Sequence, residues 1–213
     1  TDMDLGVAAY EENFMTHYLY EAIADGALCG FLPCDMTGLR AVKESYELEA
    51  TRKASQIADQ AFSDLLPYIK PGVTEKEMAA RLESNMLLLG SEEKSFTTIV
   101  ASGKRSAMPH GTASPKVIEK GDFVTFDFGA VWDGYHSDIT RTVVVGKATQ
   151  AQKDFYNLIL EGQKMGVSLV KAGSSCRAID YAVRNYFAGY HVSQYFTHSL
   201  GHGTGLEIHE QPV

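Results

Sequence analysis

The sequence predicts an α+β fold built from one supersecondary unit used twice. The order helix, glycine, capped helix, strand runs over residues 45–101 and again over residues 149–199. The junctions carry related spellings, Lys70-Pro-Gly-Val-Thr74 and Lys171-Ala-Gly-Ser-Ser175. Order repeated in this way marks an internal duplication. A third observation is Asp133-Gly134 between two apolar runs, a strong short-range signal for a β-hairpin.

The elements follow in order. Residues 1–37 read as the tail of an N-terminal domain, because this stretch is too short to bury a core of its own. Asn13 to Ile23 suits an amphipathic helix, and Gly26 to Gly38 carries loop signals. Residues 38–213 read as the main domain, incomplete at its end. A long helix is expected from Ser45, with Leu48, Thr51, Ala54, Ala58, Ala61 and Leu65 recurring every three or four residues. Pro67 puts its end near Leu66. Thr74 to Glu77 spells a capping box for a second helix reaching Leu89. Phe96 to Ala101, Phe123 to Ala130 and Ser137 to Val145 read as strands. Thr149 to Gln152 is a second capping-box spelling, for a helix to Val170. Ser174 or Ser175 caps a shorter helix to Ala188, and His191 to Ser199 looks extended. In the first copy a hairpin follows the strand. By symmetry the second copy should continue into a closing hairpin of roughly 40 to 50 residues, which is missing from this sequence.

Composition narrows the function classes. The chain has 213 residues, 45% of them apolar, and a net charge of −8. Lys and Arg are scattered without a basic stripe, so a nucleic-acid partner is not expected. No apolar run is long enough for a membrane span. Cys29, Cys34 and Cys176 form no C-x-x-C pair, which suits free thiols in a reducing compartment and a cytoplasmic location.

Two aspartates sit in the predicted hairpin. Aspartate is depleted in strands, so Asp127 in Phe-Val-Thr-Phe-Asp-Phe-Gly and Asp138 in Tyr-His-Ser-Asp-Ile-Thr-Arg-Thr need a reason. A two-residue Asp133-Gly134 loop places Asp127 opposite Thr140 and Asp138 opposite Gly129. Both acids then share one sheet face as diagonal neighbours, about 7 to 8 Å apart. Carboxylates that close repel unless a proton or cation lies between them. Either alone reads as a water-facing or Arg-paired residue, but the pair on one face points to metal.

The chain has seven histidines, and three of them fall in His198-Ser-Leu-Gly-His202-Gly-Thr-Gly-Leu-Glu-Ile-His209-Glu. Imidazole binds transition metals and moves protons near neutral pH. The glycines between them let backbone approach a ligand, and their spacing is not that of a dinucleotide loop. His110 lies in the turn Met108-Pro109-His110-Gly111. His17, His136 and His191 read as structural.

These residues resemble the pita-bread metallopeptidases, family M24. The resemblance is carried by Phe96 to Gly103, Pro109-His110-Gly111, Asp127, Ser137 to Thr142 and His198 to Glu210. It is nearest to the Xaa-Pro dipeptidase (prolidase) and Xaa-Pro aminopeptidase branch, and covers about residues 45–213. It implies a metal-dependent hydrolase of Xaa-Pro peptide bonds. Asp127 would hold one metal ion, Asp138 would bridge two and His202 would bind the other. His110 and His209 would contact the substrate or the tetrahedral intermediate, and His198 would line the same pocket. Two divalent ions are implied, manganese favoured, cobalt or zinc as alternatives. A bridging water would attack the peptide carbonyl. The family completes its metal site with two glutamates on the closing hairpin, so the chain alone is expected to be inactive. The resemblance also implies a homodimer and a proline-containing peptide substrate. The competing reading is a catalytically dead pita-bread module that binds peptides or proteins.

Overall fold

The computed structural model describes residues 6–27 and 29–212. The chain divides into two compact units, with the boundary between Val42 and Lys43.

The first unit contains strand β1 (Val7–Glu11), helix α1 (His17–Ala24), strand β2 (Gly30–Cys34) and helix α2 (Thr37–Ala41). β1 and β2 pair in parallel, Val7 with Gly30 through Glu11 with Cys34. Gly26 to Gly38 therefore holds a strand and the start of a helix where its glycines and Pro33 suggest a loop. Pro33 lacks an N–H, and a two-stranded ladder tolerates this on its open side.

The second unit opens with α3 (Ser45–Leu65), whose capping box is formed by Glu44 and Glu47. A tight turn at Leu66–Tyr68 absorbs Pro67. α4 (Glu75–Leu88) follows, capped by Thr74 and Glu77. Ala54, Ala58 and Ala61 are fully buried, and their small size lets α4 approach. Leu48, by contrast, is half exposed; the inward stripe begins a turn later.

Strands β3 (Ile99–Ser102), β4 (Phe123–Phe128) and β7 (Ile139–Val144) form an antiparallel sheet in the order β3-β4-β7. The predicted strand at Phe96 begins later, at Ile99. Burial alternates along β4: Val124, Phe126 and Phe128 face inward, while Thr125 and Asp127 face the other way. The inward face packs on α3 and α4 through Leu65, Leu82, Met86 and Phe62. Phe62 stacks on Phe128 at 5.5 Å and meets Phe126 edge-on at 5.4 Å.

Between β4 and β7 lie the short strands β5 (Val131–Trp132) and β6 (Tyr135–His136). Their turn is Asp133-Gly134, with φ of 52° and 74°, the positive angles of a type I′ turn. Glu92 accepts both turn amides, Asp133 N at 2.8 Å and Gly134 N at 3.1 Å. Phe128 pairs with Ile139 and Val131 with His136, so the register runs unbroken through the hairpin. Gly129 sits where the strands come closest: a Cβ there would stand 1.8 Å from the Ser137 carbonyl oxygen.

The second helix pair is α5 (Gln150–Leu169), capped by Thr149 and Gln152, and α6 (Cys176–Gly189), capped by Ser175. Its proportions repeat those of α3 and α4, which bears out the duplicated helix order. Gly162 and Gly166 are the residues α5 buries, because the Phe187 ring and Val183 of α6 press against them. The stretch after α6 is not extended throughout, since Ser193–Tyr195 forms a tight helical turn. His191 enters it at φ 59°.

One carboxylate in this unit is fully buried. Glu75, at the start of α4, accepts from Ser102 N and Oγ at 2.7 and 2.8 Å, and from Ser114 N and Oγ at 3.0 and 2.6 Å. Arg105 Nη1 also donates to it. Burial alone would raise this carboxyl, but the hydrogen bonds from Ser114 and Ser102 hold it below its ordinary value.

Gly129→Ala places a methyl group on a backbone oxygen that cannot retreat without breaking the hairpin. We expect a loss of about 3 kcal/mol or more in urea unfolding. A loss under about 1 kcal/mol would mean that the register can slip.

Candidate functional site

The hairpin register puts Asp127 opposite Thr140. The same register carried one step further puts Asp138 opposite Gly129. Thr140 Oγ1 donates to Asp127 Oδ1 at 2.8 Å. Burial raises the Asp127 carboxyl above its ordinary value, the Thr140 hydrogen bond opposes this, and the charge of Asp138 raises it further. A positive His110 would lower it, which sets the Pro109-His110-Gly111 turn beside the two acids.

His202 lies beside Asp138. Its Nε2 lies 3.4 Å from Asp138 Oδ2. Its Nδ1 lies 2.8 Å from the Gly203 carbonyl. A carbonyl only accepts, so in the neutral ring Nδ1 carries the proton and Nε2 turns its lone pair toward Asp138. A lone pair facing a carboxylate repels it unless a proton or cation lies between. The gap is also longer than a good hydrogen bond.

His209 stands against His202, ring centroids 4.2 Å apart. The loop holding both is closed by the bridge between Gly203 and Glu210, with Gly203 N donating to Glu210 O at 3.1 Å and Glu210 N to Gly203 O at 2.9 Å. Beneath it Glu210 accepts from Lys43 Nζ at 2.8 Å and from Glu207 N at 3.0 Å. Gly205 lies on this pair, since a Cβ there would meet Glu210 Oε2 at 2.5 Å.

The structure therefore brings Asp127, Asp138 and His202 near one another, with His209 against His202 and His110 within electrostatic reach of Asp127. His198 is held separately, packed edge-on against Phe196 at 4.8 Å, with its carbonyl accepting from Arg184 Nη2. Among the described residues, no three His, Cys, Asp or Glu side chains converge closely enough to hold a metal ion. The donor chemistry nonetheless fits a divalent cation: two hard carboxylates, one raised by desolvation and, to a lesser degree, by the other, and an imidazole lone pair aimed at the second.

Several supporting residues escaped the sequence reading. His136, read as structural, donates its backbone N–H to Gly205 O at 2.8 Å, tying the histidine loop to the hairpin tip. Its Nδ1 lies 2.8 Å from Ser95 Oγ. Lys43 has no motif around it to signal its pairing with Glu210.

A raised aspartate costs the folded chain at neutral pH. Its proton is held more tightly folded than unfolded, so stability falls as pH climbs from the ordinary aspartate value, about 3.9, through the folded one. Asp127→Asn keeps an acceptor for Thr140 and removes that cost. In chelator at pH 7 we expect it to raise Tm by about 2 to 4 °C, equivalent to about 1 kcal/mol, with the gain vanishing below about pH 3.9. An unchanged or lower Tm at pH 7 would refute the raised Asp127 carboxyl.

The pattern of Metallopeptidase family M24 matches residues 49–213. The Xaa-Pro dipeptidase of Pyrococcus horikoshii is 47% identical over 174 residues, 82% of this chain and 50% of that protein. The structure of a Xaa-Pro dipeptidase from Bacillus anthracis superposes with a TM-score of 0.92 at 46% identity, over 96% of this chain and 58% of that one. An X-Pro aminopeptidase from Thermotoga maritima gives 0.93 at 39% identity, over 97% and 59%. The chain thus spans about half the length of the curated relatives it matches. The likeness extends over nearly all of this chain, so its fold is the pita-bread α+β fold, and the chain belongs to metallopeptidase family M24.

Proposed function

We propose that this chain serves in metal-dependent hydrolysis of Xaa-Pro peptide bonds, as a dipeptidase or an aminopeptidase. The observation that carries the reading is the His202 lone pair facing Asp138, beside the half-buried Asp127. Two divalent ions would be held by Asp127, Asp138 and His202, with Asp138 shared between them. Manganese is favoured by the carboxylate share of the set, with cobalt or zinc as alternatives. Bound there, such ions supply Lewis acidity toward a carbonyl and lower the pKa of water.

The chain's own groups do the rest. Thr140 fixes one Asp127 oxygen and leaves the other for a ligand. The Gly203 carbonyl sets the His202 tautomer and so the direction of Nε2. His209, tilted against His202, and His110 would donate to a carbonyl oxygen as negative charge develops. His198, on the same loop system, would line the approach for a proline-containing peptide. A homodimer in the cytoplasm completes the proposal. No helix among the described residues is long and apolar enough to cross a membrane.

A second reading is a module that binds peptides without cleaving them. It is favoured by the lack of three converging ligands among the described residues. Elemental analysis with a cleavage assay separates the two. On the first reading the purified chain retains divalent metal, and Asp138→Asn weakens metal binding by about tenfold to a hundredfold, the scale seen when a metal site loses supporting groups. A protein in which this chain is continued by the closing hairpin that the resemblance implies then cleaves an Ala-Pro dipeptide, a longer Xaa-Pro peptide, or both, when loaded with metal. Peptide binding without retained metal or cleavage would overturn the first reading in favour of the second.

A further inference from the structure

His110 poses a problem of placement. It is exposed, on a segment from Gly103 to Ala113 held by a short 3-10 helix at Gly103–Ala107, one bridge from Thr112 to Ile99 of β3, and turns from Met108 N to Arg105 O, Gly111 N to Met108 O and Thr112 N to His110 O. Exposed loops of this kind open locally at little cost, yet a working side chain must be held within about 0.5 Å.

We propose that Glu75 is a positioning residue for His110, acting through Arg105; the functional meaning of this placement rests on the substrate-facing role proposed above. One carboxylate holds the loop at three points. Oε1 takes both donors of Ser102, which precedes the loop. Oε2 takes both donors of Ser114, which follows it. Arg105, inside the loop, donates Nη1 to Glu75 and Nη2 to the Thr112 carbonyl at 3.0 Å. Thr112 in turn donates its N–H to His110 O at 2.9 Å. The chain of contacts thus runs from a helix start, through a guanidinium fork, to within two residues of the imidazole. Gly111 leaves no slack on the sheet side, since a Cβ there would meet Ala101 Cβ at 3.0 Å. The surroundings suit a permanent anchor: Lys116 Nζ lies 2.9 Å from Ser102 Oγ and 2.7 Å from Asp122 Oδ2, so neighbouring charges are matched. Arg105 has a planar two-armed fork that lysine cannot reproduce.

The test uses the full chain with labelled histidine and methyl groups, read by NMR at one neutral pH without metal or substrate. The His110 ring resonance is assigned by its loss in His110→Gln. Arg105→Met and Glu75→Gln are compared with Glu83→Gln, which removes a surface partner of Lys94 elsewhere. We expect Arg105→Met to move the His110 signal to the position of histidine in a free peptide and to narrow it. Val100 and Val124 methyls and the His198 ring should stay in place, and Glu83→Gln should change nothing at His110. Arg105→Lys should not restore the wild-type signal. If Glu75→Gln unfolds, shown by collapse of methyl dispersion, the milder Arg105→Met alone decides. The proposal is overturned if His110 keeps its signal in folded Arg105→Met, or if the wild-type His110 already shows the free-peptide position. Neither cleavage nor metal content is read, so failure of the peptidase reading and failure of this anchor remain separate results.

Discussion

Glu92 accepts both amides of the Asp133-Gly134 turn, and the two-residue length of that turn sets the parity of everything behind it. Side chains alternate faces along a strand, so one added residue at the tip would send Asp138 to the opposite side from Asp127. The inward phenylalanines of β4 hold the other half of the constraint. Phe126 and Phe128 are fully buried against Phe62, which leaves Asp127 only the open face. Core packing and turn geometry thus cooperate to force two acids together, at an electrostatic cost that a cation would remove.

The histidines are organised by a different principle. They lie on loops, which sheet register does not control, and each loop is tied to something rigid. The 203–210 loop is closed by a backbone bridge, pinned to the hairpin through His136 N and supported from below by Glu210. The loop bearing His110 is tied to the start of α4. Loops hold these histidines, and polar contacts supply the stiffness that hydrogen-bonded ladders supply elsewhere.

Much of this was legible in the sequence. Asp-Gly at the hairpin tip, the capping boxes at Thr74 and Thr149 and the Ala54, Ala58, Ala61 and Leu65 part of the α3 stripe each report local physics, and each appears as read, whereas Leu48 of that stripe does not turn inward. The pairing of Asp127 with Thr140 followed from loop length alone. Elements that depend on distant partners were less visible. β2 is written with Gly30 and Pro33, both poor strand residues, and exists because β1 offers it a ladder. The turn at Ser193–Tyr195 replaces an expected extended stretch, since polar and aromatic residues in alternation do not distinguish a strand from a coiled loop. The roles of Lys43, Glu75 and His136 arise from contacts across the chain, and no local spelling announces them.

The ion pair of Lys43 and Glu210 joins residues 167 positions apart, with side chains 12% and 6% exposed. Separating such a pair by removing one member costs about 3 to 5 kcal/mol. The family match begins at residue 49, so a domain excised at that boundary would discard the ammonium that braces the histidine loop. An excised piece that keeps this brace must therefore include the residue at which the second unit begins, and alignment limits alone would cut it too short.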